Sequence, residues 1–367
     1  MSANDQTMIT ALAQASAAAH PVPDRGHVNN FITDAELQQL LALYLPTDLY
    51  AHLQPYFERM GELAGGAVDD WALEADRNPP TLEMRSRSGK EVQRIVKHPA
   101  YVEMEKVAYQ QFGLAAISHR EDMLGWKGKM PPIVKYALTY LFVQSEFGLC
   151  CPLSMTDSLT RTLKKYGEQK LVEKYLPQLL SMDFDASVQG SMFMTEQAAG
   201  SDISNRLTMA YRQEAGSWRL YGEKWFCSNP DAGFGMVLAR VDGGPPGMKG
   251  ISLFLLPRQL DDGSTNHYQI VRLKDKMGTR SMASGEIRMD GAIAYLVGEQ
   301  GRGFVQIADM VNNSRLSNGM RSAGMMRRAV AEAEFIARER WAFKHRLQEL
   351  PLMRVQLDTE VPVMSAV

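Results

Sequence analysis

The hydrophobic period of this chain changes twice, and that alternation limits its fold more than any single motif does. Between residues ~30 and ~185 apolar side chains recur at helical spacing, as in "DAELQQLLALYLP", "HPAYVEMEKVAYQQFGLAAISHR" and "PPIVKYALTYLFVQSEFGL". Near residue 187 the spacing falls to two: "SWRLYGEKWFC", "GMVLARV" and "GISLFLL" are short β-rich runs divided by "NPDAG", "DGGPPGMKG" and "DDGSTN". From Phe304 the helical period returns and runs through "VQIADMVNNSRLSNGMRSAGMMRRAVAEAEFIARERWAF". Helix and strand patterns segregated in this way predict an α+β fold. The expected division is a mobile arm over residues 1–30, a helical domain over 31–186, a β-barrel domain over 187–300 and the start of a helical bundle over 301–367.

Local signals mark the boundaries. Asp34 heads the first helical run as a cap. In "SLTRTLKKYGEQKLVEKYLPQLLSMD" one helix is expected to stop near Gly167 and the next to run from Glu168 until Pro177 breaks it. "GEQGRGF", Gly298 to Phe304, has glycine spacing GxxGxG and no βαβ unit after it, so it reads as a strand-to-helix turn. After Pro351 only "LMRVQLDTEVPVMSAV" remains, so one long helix and half of another stand where a bundle needs further partners for its apolar face. The chain reads as unfinished.

Composition excludes several classes. With 45% hydrophobic and 22% charged residues and a net charge of -2, the 367 residues resemble an ordinary globular protein, with no global attraction to nucleic acid or anionic membrane. No apolar run approaches the ~20 residues that span a bilayer, and "MSANDQTMITALAQASAAAH" lacks the layout of a signal peptide. A cytoplasmic location is expected. Cys150, Cys151 and Cys227 match neither a disulfide framework nor a zinc spacing and read as buried free thiols. There is no GxSxG elbow, Walker loop or HExxH, and the seven histidines are scattered, which argues against a hydrolase, a P-loop enzyme or a metal site.

Two stretches have the residue types that chemistry needs. In "MTEQAAGSD", Met194 to Asp202, Thr195 ends a strand, and "AAG" strips the backbone so that its N–H groups are open to a flat or anionic ligand, with Ser201 as a further donor. The same residues read equally well as a helix start capped by Ser201 or Asp202. In "GEKWFCSN" a strand ends on Trp225, Phe226, Cys227 and Ser228, which sets a stacking face beside a hydroxyl; an aromatic pair in a strand also suits a core. "LKDKMGTRSMASGEIRMDGAIAYLVGEQGRGF" reads by itself as one more hairpin.

In this order the stretches resemble the motifs of the acyl-CoA dehydrogenase superfamily. "TEQAAGSD" is similar to its Thr-Glu-Pro, small-residue and Gly-Ser-Asp pattern, "GEKWFCSN" to its Gly-x-Lys-x-Trp-x-Thr/Ser-Asn, and "MGTRS" through "GRGF" to its Met-Gly-x-Arg hairpin and Gly-x-Gly-Phe turn. The resemblance covers about residues 95–355. The alkylation-response branch is closer still, through "NPP" (Asn78 to Pro80), "HPAY" (His98 to Tyr101), "CPLSMT" (Cys151 to Thr156), "KWFCS", "LKDKMGTRSMAS", "AGMMRRA" and "PLMR".

This resemblance implies a helical domain, a β barrel and a helical bundle with extended FAD between them. By position, Met192, Met194 and Thr195 would lie along the flavin ring, and Gly200 and Ser201 would meet the ring or the pyrophosphate. Phe226 would stack where most relatives have Trp, Cys227 would follow it, and Ser228 would reach the flavin edge. Arg340 and Phe343 match an Arg-x-x-Phe that reaches FAD of a neighbouring subunit, implying a homodimer or homotetramer. Arg315 matches an arginine near the substrate end; a solvent-facing helix arginine is the plain alternative.

The implied chemistry removes the α proton of an acyl-CoA with a carboxylate and passes the β hydrogen to flavin N5 as hydride. No catalytic base is identifiable in the chain: its usual position would fall beyond Val367, and the alternative one, just before Arg315, holds Ser314. Glu196 belongs to the flavin-loop motif. Gln197 replaces the motif proline, which would loosen the loop, and Lys344 replaces a common glycine. Three functions follow from this reading: a flavin-dependent acyl-CoA dehydrogenase, a DNA-associated flavoprotein of the alkylation response whose DNA-facing surface would lie in a C-terminal region beyond this sequence, and an inactive fragment or scaffold. A membrane partner is not expected.

Overall fold

The computed structural model describes residues 24–205, 207–213 and 216–365, so most of the arm expected over residues 1–30 lies outside the described residues. Residues 29–321 form one compact unit, and the described residues on either side of them form a second.

The first unit opens with α1 (Ala35–Tyr44), α2 (Thr47–Ala64) and α3 (Ala67–Arg77). Asp34 caps α1 by accepting the Leu37 N–H at 3.0 Å, as its position in the sequence predicts. The segment expected to be wholly helical is then interrupted by an antiparallel hairpin, β1 (Thr81–Arg85) and β2 (Glu91–Val96). Leu82 and Ile95 of this hairpin pack on the barrel core, which holds it where its own mixed polarity would not. α4 (Pro99–Glu105) passes directly into a π-helix, Lys106–Gln111, so the long helix expected after "HPAY" changes pitch instead.

α5 (Pro132–Val143) and α6 (Cys150–Tyr166) complete the helical core, in which Phe57, Met60, Met104, Leu138 and Phe142 are fully enclosed. α6 stops at Gly167 as expected, but α7 (Gln169–Leu179) continues through Pro177. Pro177 gives up the bond its N–H would make to the Glu173 carbonyl, and buried Tyr175 and Leu179 on either side of it hold that turn in place.

The barrel is built from β3 (Gly190–Phe193), β4 (Met209–Arg212), β5 (Trp218–Ser228), β6 (Phe234–Val241), β7 (Ile251–Pro257), β8 (Tyr268–Leu273) and β9 (Ser284–Leu296). The pairings β6–β4, β4–β5, β5–β9, β9–β7 and β7–β6 close a ring, while β3 adds to β6 and β8 to β9. Period two explains its layers. Val237, Ala239 and Val241 of β6 and Phe254 and Leu256 of β7 fill the interior. Their neighbours Phe234, Met236, Leu238, Ile251, Leu253 and Leu255 face outward onto Met155, Leu159 and Leu163 of α6 and Tyr175 and Leu179 of α7. Both faces of β6 and β7 are therefore buried, which is why "GMVLARV" and "GISLFLL" are nearly continuous apolar runs.

The turn after β9, with Gly298 and Gly301 at φ 72° and 80°, leads into α8 (Gly303–Glu339). In the second unit, Arg25 pairs with Glu332 at 3.2 Å. The helix ends before "WAF": Trp341–Ala342 (β10) and His345–Arg346 (β11) form a small hairpin, followed by α9 (Pro351–Ser365). Among the described residues no helix is long and apolar enough to cross a membrane.

Candidate functional site

The two chemistry-bearing stretches are joined. The Trp225 N–H donates to the Thr195 carbonyl at 2.8 Å, so the loop after β3 lies against the end of β5. Met192, Met194 and Thr195 are half-buried along this line, and both methionines pack on the layer between barrel and helices. Glu196 and Ala199 exchange backbone hydrogen bonds of 3.2 and 3.1 Å, which closes a tight turn without a proline at Gln197. No helix starts at Ser201 or Asp202: the Asp202 carboxylate instead accepts the Ser204 N–H and hydroxyl at 3.0 and 2.6 Å in a local turn. Gly200 and Ser201 are exposed, and a Cβ on Gly200 would meet nothing within 4 Å. Neither packing nor a positive φ inside the chain accounts for a glycine there.

Glu196 anchors this loop. One carboxylate oxygen accepts the Lys224 ammonium at 2.6 Å, and the other accepts the Leu207 N–H at 2.7 Å. The Lys224 side chain is 0% exposed and also donates to the Leu238 carbonyl at 2.7 Å. Burial pulls the Glu196 pKa upward, but the Lys224 charge and these hydrogen bonds win and leave it below its ordinary value. A carboxylate held in this way is a structural tie, and its lone pairs are already committed.

At the end of β5, Phe226 is 61% exposed, so it belongs to a wall and not to the core. Trp225 stands edge-on to it at 6.3 Å, and the Lys274 ammonium lies 3.8 Å from the Trp225 ring centre and 4.6 Å from that of Phe226. Cys227 points the other way, into the barrel core, where burial pushes its thiol up to about 12. The Cys227 side chain is thus separated from the Phe226 wall by the strand itself. Ser228 is half-buried and pairs with Ser284 across β5 and β9.

Sequence reasoning missed what gathers around Cys151. Burial raises this thiol, opposed by Arg321 of α8, by Ser228, and by Lys276 of the β8–β9 loop. Glu146, on the approach to α6, accepts the Leu149 N–H at 2.8 Å and the Ser281 hydroxyl at 3.0 Å, and burial raises its pKa. Cys151 and Lys276 stood inside "CPLSMT" and "LKDKMG", and Arg321 lies two helical turns from Ser314. Those spacings were the available signal. Of the other expected positions, Ser314 is half-buried and Arg315 exposed on α8, while Arg340 and the 86% exposed Phe343 belong to the second unit.

A second buried node ties α8 to the helical core. Asp157 lies 2.9 Å from His119 Nε2, 3.1 Å from the Lys135 ammonium and 2.7 Å from the Asn313 amide that donates to it. Burial opposes its ionisation, yet His119, Lys135 and Asn313 bring its pKa down to about 2.

Comparison with known proteins gives the class that this barrel and its flanking helices define. Residues 191–292 match the acyl-CoA dehydrogenase middle domain and residues 301–360 the acyl-CoA dehydrogenase C-terminal domain. The chain belongs to the acyl-CoA dehydrogenase superfamily, whose members are FAD-binding flavoproteins. Within it, residues 21–186 match the N-terminal domain of the adaptive response protein AidB, which bears out the alkylation-response branch. The putative acyl-CoA dehydrogenase AidB of Escherichia coli strain K12 is 33% identical over 76% of this chain and 51% of its own length. The solved structure described as "Bd2924 apo-form" superposes with a TM-score of 0.85 at 34% identity, over 92% of this chain and 67% of that one. Caenorhabditis elegans ACDH-11 in complex with C11-CoA gives 0.84 at 28% identity, over 94% and 59%. The chain spans about half the length of the curated relatives it matches.

Proposed function

We propose that this chain holds FAD at the junction of β3 and β5 and serves an acyl-CoA dehydrogenase-like oxidoreductase acting on an acyl thioester. The observation that carries this reading is the direct bond between Thr195 and Trp225, which brings both motif segments to one edge. Exposed Phe226 offers a face for a flat ring, and the bare backbone around Gly200 leaves room for close approach. When bound, FAD supplies a two-electron acceptor for hydride. Met192, Met194 and Thr195 would border the ring, Ser228 would donate to its edge, and Gly200 and Ser201 would meet its polar end. Cys227 contributes only to the strand, and Arg315 is the candidate at the substrate end. The exposed Arg340–Phe343 hairpin suits a contact with a second copy, so a homo-oligomer belongs to the same reading. So does a cytoplasmic location.

Glu196 is not proposed as base, because Lys224 and two backbone N–H groups occupy it. The test is anaerobic addition of an acyl-CoA panel to the full protein, followed by flavin absorbance. Bleaching by any acyl chain supports the dehydrogenase reading; an unchanged spectrum across the panel counts against it. The match of residues 21–186 to the AidB N-terminal domain favours a second reading, a flavoprotein associated with DNA in the alkylation response. That reading predicts a gel shift by a protein that carries the C-terminal region, weakening steeply with salt, and only weak DNA binding by the present chain.

A further inference from the structure

Two cations near Ser228 lack a counter-charge. Arg321 is 4% exposed, yet the acceptor its guanidinium reaches is the Ser317 carbonyl one turn back on α8, at 3.3 Å. Among the described residues no carboxylate lies within 4.0 Å of it, and the Phe147 ring lies 5.2 Å from its guanidinium carbon. Lys276 approaches the same place from the β8–β9 loop, donating to the Met282 carbonyl at 2.5 Å and the Ser284 hydroxyl at 3.1 Å, again with no carboxylate within 4.0 Å among the described residues. Both charges act on the Cys151 thiol against its burial, and Ser284, to which Lys276 donates, pairs with Ser228 across β9 and β5. Cys151 also stands in the first turn of the 17-residue α6, whose N-terminus adds partial positive charge. Glu146 acts on Lys276 from beyond 4.0 Å, and burial raises its carboxyl against the Leu149 and Ser281 hydrogen bonds, so it offsets the cluster only in part.

A buried guanidinium without a counter-charge is unfavourable, and one carbonyl and one aromatic ring return only part of the lost hydration. We propose that the site beside Ser228 takes an acyl thioester whose chain ends in a carboxylate, and that Arg321 receives that carboxylate, with Lys276 reinforcing the field. This rests on the reading of the site as one for acyl thioesters. A charge-assisted, two-pronged contact with Arg gives such a chain an advantage that a methyl terminus lacks.

The test compares adipoyl-CoA with hexanoyl-CoA, equal in chain length, by calorimetric titration of the full FAD-loaded protein and of its Arg321→Met and Arg321→Lys variants. Adipoyl-CoA should bind at least about tenfold more tightly to the wild type, as expected for a charged hydrogen-bonded pair. Arg321→Met should erase the preference and Arg321→Lys should keep part of it. Without ligand, Arg321→Met should melt no lower than the wild type, since it removes an uncompensated charge. Equal affinities, a preference that survives Arg321→Met, or a sharply lowered melting temperature for that variant would each overturn the proposal. If hexanoyl-CoA binds and adipoyl-CoA gains nothing, the acyl reading stands and the carboxylate assignment falls. If neither thioester binds, both fall.

Discussion

Glu196 and Lys224 lie 28 positions apart in the chain, and nothing local in the sequence announces that they pair. Their side chains are 4% and 0% exposed, so breaking the pair leaves a charge stranded. Glu196→Gln should cost about 3 kcal/mol in urea unfolding, and adding Lys224→Met should restore part of that loss. A loss near zero would mean that the loop stands without its anchor. Asp157 gives the pH dependence. Its pKa falls from 3.8 to about 2 on folding, so its stabilising contribution is complete above the unfolded value and fades as pH drops through the folded one. That contribution is about 2 kcal/mol, and Asp157→Asn should flatten the stability profile between roughly pH 4 and 2. The exposure of Phe226 was equally hidden from the sequence, because strand alternation gives two faces without saying which one a barrel turns inward.

At the scale of elements, long periodic segments were legible and short ones were not. Alternation in β5, β6 and β7 and helical spacing in α1, α6 and α8 each extend over enough residues to identify the element. β1 and β2, of five and six residues, sit between helices and take their stability from Leu82 and Ile95 against the barrel, a contact with no local signature. Pro177 misled because burial of Tyr175 and Leu179, which has no local signature, holds the turn despite the lost N–H bond. The β10–β11 hairpin shows why a glycine would suit the position of Lys344. Phe343 and Lys344 form its two-residue loop at φ 53° and 66°, a left-handed conformation that glycine adopts without cost. Lys344→Gly should therefore stabilise the hairpin by about 1 kcal/mol, read as a higher melting temperature. A lower one would contradict the left-handed geometry.

For the whole molecule, the order of helices, barrel and helix follows from two changes of period, and the superfamily follows from three motifs in sequence order. The site needed the structure. Only folding brings Thr195 against Trp225 and gathers Cys151, Lys276 and Arg321 from three separate elements around Ser228. The central claim is that the Thr195 loop and the Phe226 wall form one FAD seat. Titration of the flavin-free protein with FAD, followed by flavin fluorescence, tests it most directly for the wild type, Ser201→Trp and Phe226→Ala. Saturable binding by the wild type that is abolished in Ser201→Trp and weakened in Phe226→Ala is the predicted result; no saturable binding, or variants that bind FAD as the wild type does, would contradict it.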